Sequence, residues 1–218
     1  MTRSEFIYPD YARAERIADG TMHVLGLGGA VIGAAALVIW AFGSGSPAET
    51  VALLIYGLCL IATFAASAVY HMTPSERARP ILRRIDHAAI YLKIAGTYTP
   101  LVVMLGTAFS YGILAVVWTL ALFGAVRKLF FWRNPHNYGT PLYLIIGWMS
   151  VAIIWPLAPT LPTISVWLIA VGGLLYTSGV IFFHSEGMKF SNAIWHGFVV
   201  VASGCFYAAI ALGIFANA

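Results

Sequence analysis

The sequence predicts an all-α protein, a bundle of seven transmembrane helices, from three observations. Hydrophobic residues make up 61% of the 218 positions and charged residues only 9%, whereas a soluble domain carries about 25% charged residues. The apolar runs are each about 20 residues long, the length that crosses a hydrocarbon core as a helix. Lysine and arginine are confined to alternate connections. We therefore expect one integral membrane domain over residues 1–218.

Seven apolar runs are separated by segments with turn chemistry. Glycine, serine, asparagine and proline mark the breaks at 43–47, 73–75, 134–135 and 156–162. The break between the third and fourth runs rests only on Gly106, Ser110 and Gly112, so a count of six is the alternative. The predicted spans, after a polar tail at 1–20, are residues 22–42, 50–71, 87–106, 109–126, 139–157, 162–183 and 192–215.

The basic residues decide between the two counts. With seven spans, eleven of the twelve lie on one side of the membrane: Arg3, Arg13, Arg16, Arg77, Arg79, Arg83, Arg84, Arg127, Lys128, Arg133 and Lys189. Only Lys93 lies inside a span. Since basic residues accumulate on the cytoplasmic side, we predict a cytoplasmic N-terminus, an outside C-terminus and a multi-pass protein of the cytoplasmic membrane. Six spans would break the alternation.

The net charge of +4 reflects this topology, so nucleic acid is not an expected partner. Residues 78–85 mix isoleucine and leucine with arginine, which fits either a short interfacial helix or an ordinary loop. Cys59 and Cys205 fall inside spans and are interpreted as packing residues without a disulfide.

Polar residues gather at the end of the bundle that the charges place in the cytoplasm. His71 ends the second span and His196 lies one turn into the seventh. Each has a polar residue four positions earlier on the same helix face, Ser67 and Asn192 respectively. Asp86 enters the third span in the same layer. For the remaining histidines of this layer, interface anchoring or local hydrogen bonding is the simpler interpretation: His23, His87 and His136.

Two interpretations of this layer stay open on the residues alone. Neutral imidazole is a common zinc ligand, and a catalytic zinc site uses three protein ligands plus an open position. A carboxylate such as Asp86 can orient a ligand or take a proton from activated water. The alternative is a polar network that ties helices together by hydrogen bonds.

Five short motifs extend over nearly the whole chain. They are Asp19-Gly-Thr-Met-His23, Ser67-Ala-Val-Tyr-His71, Ile85-Asp-His87, Ile94-Ala-Gly-Thr-Tyr-Thr-Pro100 and Ala193-Ile-Trp-His196-Gly-Phe-Val. In this combination the chain resembles the hemolysin III family, the bacterial branch of the progestin and adipoQ receptors. The resemblance implies a seven-helix membrane protein with an inside N-terminus, in agreement with the charges.

The resemblance also implies a zinc site. The adiponectin receptors of this superfamily hold zinc through the histidine of a Ser-x-x-x-His motif on span two and both histidines of a His-x-x-x-His motif on span seven. An aspartate on span three acts through water. Carried over by position, His71 and His196 match zinc ligands, while Asp86 and Ser67 match the catalytic carboxylate and the motif serine.

Asn192 departs from this pattern, because it takes the place of the first histidine of the span-seven motif. An amide oxygen is a poorer zinc ligand than imidazole, so a site of His71, Asn192 and His196 would bind zinc more weakly. Three outcomes are open. Asn192 ligates nevertheless, His184 or His23 supplies the missing imidazole, or the metal is lost and a hydrogen-bond network remains.

Two functional hypotheses follow. The first is a metal-assisted intramembrane hydrolase of a lipid amide or ester, with Asp86 as general base and membrane lipid as substrate, by analogy with the similar alkaline ceramidases. The second is a non-enzymatic pore-forming or cytolytic protein, or a regulator of membrane state. No span has a repeated polar stripe that would line a pore, although a homo-oligomer could form one between copies. A receptor role has only the number of spans in its favour.

Overall fold

The computed structural model describes residues 11–131, 139–185 and 187–216, and these residues form helices and their connections. Seven stretches within these ranges are long and apolar enough to cross a membrane. The predicted all-α fold with seven spans is therefore confirmed. The side on which each terminus lies stays a prediction. His136 and Arg133 lie outside the described residues.

The helices follow one another with short connections. Eight helices are described: α1 (Arg13–Ser44), α2 (Pro47–Met72), α3 (Arg79–Leu105), α4 (Ala108–Phe130), α5 (Gly139–Trp148), α6 (Ser150–Leu157), α7 (Thr163–Phe183) and α8 (Ser191–Ala216). The fifth span consists of α5, α6 and a short 3-10 turn at Ala158–Thr160. The sixth and seventh spans are α7 and α8.

The weakest predicted break, between the third and fourth spans, is a defined turn. Gly106 ends α3 with φ of 65°, a left-handed conformation that glycine adopts readily. Thr107 then caps α4, since its hydroxyl oxygen accepts a hydrogen bond from the Ser110 backbone N–H at 3.2 Å. Seven spans are thus favoured over six by local chemistry as well as by charge.

Two helices begin earlier than predicted. α1 begins at Arg13, inside the predicted tail, and α3 begins at Arg79 with Pro80 in its first turn. Residues 79–85 are neither a separate interfacial helix nor a loop, because they form the first two turns of α3. Apolar run length marks only the part of a helix inside the hydrocarbon. Arginine and glutamate have good helix propensity and extend the helix into water.

The fifth span, predicted as one run, is interrupted at Met149. The Tyr98 hydroxyl of α3 lies 2.6 Å from the carbonyl oxygen of Ile146 and 3.0 Å from that of Gly147, and it donates to them. Carbonyl groups freed by a helix break within a membrane need such partners. The break is therefore satisfied by the neighbouring helix.

α3 is the central helix, and it packs against α2, α4 and α8 and against both parts of the fifth span. α1 packs against both α2 and α8. Gly26 allows this approach, since a Cβ there would lie 2.5 Å from the ring of Phe64 in α2. As a result, the ends of α1, α2, α3 and α8 that carry the polar layer meet at one end of the bundle, which we call the site end.

Candidate metal centre

Four side chains form a compact buried group at the site end: Asp19, His23, His71 and His196. One possible ligand atom from each lies within 4.8 Å of those of the others. Asp19 is 4% exposed, His23 4% and His196 6%, and the side chain of His71 is 10% exposed. We call this group the candidate centre.

Three helices position the candidate centre. Asp19 and His23 lie four residues apart on one face of α1, His71 lies in the last turn of α2, and His196 lies in the second turn of α8. Helices of opposite direction in a bundle bring such ends together without any sequence proximity. His196 and Asp19 are 177 residues apart in the chain and in direct contact.

Asp19 contacts all three imidazole rings. Its Oδ1 lies 2.5 Å from Nδ1 of His196, and its Oδ2 lies 3.5 Å from Nε2 of His23 and 3.6 Å from Nδ1 of His71. The rings also contact one another, with centroids 4.4 Å apart for His23 and His196 and 4.5 Å apart for His71 and His196. A carboxylate in this position fixes the orientation of the imidazoles.

Ser67 and Asp86 lie beside the candidate centre. The Ser67 Oγ is 3.4 Å from Nε2 of His196, and a side-chain hydrogen bond joins Ser67 to Asp86. While Asp86 is ionised, its carboxylate only accepts hydrogen bonds, and the single hydroxyl proton of Ser67 is then donated to it. The structure thus brings Ser67, Asp86, His71 and His196 to one place.

The proton assignment of His196 follows from these contacts. Because Asp19 accepts from Nδ1 of His196, that nitrogen carries the proton of a neutral ring, and the lone pair of Nε2 remains available. Ser67 has no second proton to donate to this lone pair. The Nε2 of His196 is therefore in the state in which imidazole binds a metal.

The donor set fits zinc. Three imidazole nitrogens with a carboxylate are ligands that zinc prefers. The Nε2 of His23 is buried and has no hydrogen-bond partner among the described residues, which is unfavourable for a polar atom unless a ligand satisfies it. His23, His71 and His196 would hold the ion, and Asp19 would orient or complete the set.

Asn192 lies beside the candidate centre. It is half-buried and lines a solvent-open depression next to Asp19 and His71. His184 is exposed at the end of α7, where its ring contacts Phe183. His87 is buried and contacts the same Phe183 ring at 5.8 Å. Of the histidines considered for the missing imidazole, the structure brings His23 to the candidate centre and leaves His184 away from it.

Comparison with known proteins agrees with the fold and with the motifs. The family model described as Haemolysin-III related matches residues 12–207. The chain belongs to the haemolysin-III-related family. It is a multi-pass cell-membrane protein.

Curated relatives cover most of the chain. The chain is 35% identical over 209 residues to Hemolysin-3 of Bacillus cereus, covering 95% of this chain and 93% of that protein. It is 34% identical over 195 residues to the Hemolysin-3 homolog of Bacillus subtilis (strain 168), covering 88% and 91%. Monocyte to macrophage differentiation factor of Homo sapiens is 30% identical over 172 residues, covering 74% and 70%.

The contribution of α1 to the site of this haemolysin-III-related protein is the part that sequence reasoning missed. Our sequence interpretation treated His23 mainly as an interface residue and gave Asp19 no role outside the opening motif. The available signal was their spacing, because Asp19 and His23 form an i, i+4 pair like Ser67 and His71.

A second polar layer, built around the buried Lys93 and bounded by Ser203 and the ring of Phe64, lies two helical turns from the candidate centre. Phe64, Lys93 and Ser203 lie seven residues along their helices from His71, Asp86 and His196 respectively, which corresponds to about 10 Å. The Lys93 ammonium donates to Ser203 Oγ at 2.7 Å, and it lies 4.9 Å from the centroid of the Phe64 ring and 4.8 Å from that of Tyr176. No acidic side chain among the described residues forms an ion pair with Lys93.

Lys93 is thus held by one hydroxyl and two aromatic faces. We expect Ser203→Ala to lower the free energy of unfolding by about 1–3 kcal/mol, because the buried ammonium loses its acceptor. Lys93→Met should be neutral or stabilising, since it removes the charge and keeps the volume. Thermal unfolding in detergent measures both. If Ser203→Ala lowers the free energy of unfolding equally in the Lys93→Met background, the ammonium is not the cause of that loss.

Proposed function

We propose that this protein is a zinc-dependent intramembrane hydrolase that cleaves an amide or ester bond of a membrane lipid. The observation that carries the proposal is the candidate centre itself, three buried imidazoles around Asp19, with the Ser67–Asp86 pair in contact with His196. A metal ligand set beside a carboxylate that is not one of its members is the arrangement used for metal-assisted hydrolysis.

The residues take distinct roles in this proposal. His23, His71 and His196 hold the zinc ion, and Asp19 keeps the imidazoles in position through its contacts with all three. When bound, zinc would polarise the lipid carbonyl group and activate water for attack. The Asp86 carboxylate would accept a proton from the attacking water and pass it to the leaving amine or alcohol as the amide or ester bond breaks. Ser67 orients Asp86 by donating its hydroxyl proton to it.

The location of the candidate centre supports a lipid substrate. It lies at the end of a helix bundle whose outer surface is apolar, with large exposed side chains such as Val24, Ile32 and Leu58. Such a surface is covered by lipid in a membrane. A lipid held at this level has its polar bonds near the bundle end and its acyl chains along the helices.

The test is hydrolysis of lipid amides and esters by purified protein, with candidate substrates chosen from lipids that accumulate in cells without it. Asp86→Asn is expected to lower the rate by about 100-fold or more, the range of general base catalysis, without changing zinc content. Glu76→Gln is the control, because Glu76 is an exposed acidic residue at the same end of the bundle, 72% exposed. Turnover that survives Asp86→Asn would contradict the role of Asp86, and absence of any lipid substrate would contradict the enzyme.

A second candidate function is membrane permeabilisation, for which the observation is the name Hemolysin-3 carried by the relative from Bacillus cereus. In this chain the interior at the second polar layer is filled, because the Lys93 ammonium packs against the rings of Phe64 and Tyr176, so a pore would form between copies and not through one bundle. Dye release from liposomes by purified protein tests this candidate. Release that is unaffected by Asp86→Asn would favour permeabilisation over hydrolysis.

A further inference from the structure

A small depression, partly open to solvent, borders the candidate centre. Its lining includes Asp19 and His71, which belong to the centre, and its outer residues include Arg16, Phe190 and Asn192. Arg16 and Phe190 are exposed and Asn192 is half-buried. The depression therefore runs from the surface at the site end to His71, one of the proposed ligands, and to the Asp19 carboxylate.

The outer edge of the depression is held by Glu15. Its Oε1 accepts the backbone N–H of Phe190 at 2.8 Å, and its Oε2 accepts that of Ala12 at 3.0 Å. Phe190 has φ of 61°, an unfavourable conformation for a non-glycine residue, and its hydrogen bond to Glu15 fixes the segment that precedes α8. The edge is thus built into the fold and joins α1 to α8.

The charges that line the depression favour a cation. Glu15 and Asp19 supply two carboxylates, whereas Arg16 supplies one guanidinium, so negative charge is in excess by one. Arg16 and Glu15 stand at the outer edge, and Asp19 stands at the buried end. Arg16 therefore offsets the attraction of Glu15 for an entering cation, and the Asp19 carboxylate attracts the cation to the centre.

We propose that this depression is the passage through which the metal ion enters and leaves the candidate centre, and that Arg16 and Asn192 set the rate of passage. The inference rests on the proposed function only in so far as that function needs zinc at the centre. Asn192 then acts as a wall of the passage and not as a ligand. This assigns a role to the residue that departs from the family's motif.

The experiment measures zinc exchange by purified protein, with uptake followed from the zinc-free form and release followed into excess chelator. Asn192→Trp should slow uptake and release by a similar factor, roughly 10-fold, and leave the dissociation constant unchanged, because a narrowed passage affects both directions equally. Met188→Trp is the control, since Met188 is an exposed residue of the same segment that does not line the depression.

Arg16→Gln is the second variant whose zinc exchange is measured. It should speed uptake several-fold at low salt, and the difference should vanish at high salt, where charge steering is screened. Arg13→Gln, which removes an equal charge from the same end of α1, should have a clearly smaller effect, because Arg13 does not line the depression. Unchanged exchange rates in both Asn192→Trp and Arg16→Gln would overturn the passage.

The other possible outcomes of these measurements also test the inference. A changed dissociation constant with an unchanged uptake rate in Asn192→Trp would make Asn192 a ligand and overturn the inference, as would a wild type that takes up no zinc. Zinc exchange slowed by Asn192→Trp in a protein that hydrolyses no lipid would sustain the passage and remove the proposed enzyme. Lipid hydrolysis by the wild type, together with unaltered zinc exchange in Asn192→Trp and Arg16→Gln, would sustain the proposed enzyme and overturn the passage.

Discussion

Alanine at His71 or at His196 is expected to remove near-stoichiometric zinc from the purified protein. Each change deletes one of three imidazoles that are packed around Asp19 with ring centroids 4.4 to 5.3 Å apart. A zinc site needs at least three protein ligands, and two imidazoles with the Asp19 carboxylate would bind the ion too weakly to retain it against dialysis. Metal analysis per mole of protein after dialysis measures the effect.

The control for this pair is His184→Ala, because His184 is an exposed histidine of the same end of the bundle outside the candidate centre. It should keep the wild-type zinc content. A metal-free wild type would refute the centre outright. Zinc that is retained by both His71→Ala and His196→Ala would place the ion elsewhere.

His23→Ala is expected to reduce zinc binding as severely as His71→Ala, whereas Asn192→Ala should leave the dissociation constant close to that of the wild type. The reason is the position of Nε2 of His23, which is buried, 3.5 Å from Asp19 and without a hydrogen-bond partner among the described residues. Asn192 is half-buried and lines the depression beside the centre, and its neutral amide oxygen is a poorer zinc ligand than imidazole. Titration of the zinc-free proteins with zinc against a competing chelator measures both constants.

Asn192→His further tests whether the third zinc ligand comes from His23 or from position 192. If His23 supplies the third imidazole, the added histidine should raise zinc affinity little in the wild type and should not restore it in His23→Ala. A strong rescue of His23→Ala by Asn192→His would instead show that span seven retains the geometry of a two-histidine site. Loss of zinc in Asn192→Ala with retention in His23→Ala would reverse the assignment.

The fold was predictable because the membrane imposes it. Apolar run length and the one-sided distribution of lysine and arginine are properties of whole segments, so an error at a single residue does not change the number of predicted spans. The helix ends were not predictable to the same degree. The first turns of α3 contain Arg79, Arg83 and Arg84, which hydropathy assigns to water although helical hydrogen bonding continues through them.

The candidate site was predictable only in part. Helical spacing and the motifs singled out Ser67, His71, Asp86 and His196, and the structure brings these four together. The contribution of α1 depends on the rotation of that helix about its axis. In a soluble protein the apolar stripe would reveal the rotation, but lipid and bundle interior are both apolar, so hydrophobic periodicity does not indicate which face of α1 is buried.

The contact between α1 and α8 has a consequence for how the protein is made. Asp19 is buried against His196, and Glu15 accepts from the backbone of Phe190, so α1 has partners in α8, which is synthesised after the other described helices. Until α8 is in place, Asp19 has only His23 and His71 as partners. The candidate centre can therefore form only after synthesis of the whole bundle, and a chain that stops before its seventh span should be recognised by quality control as incomplete.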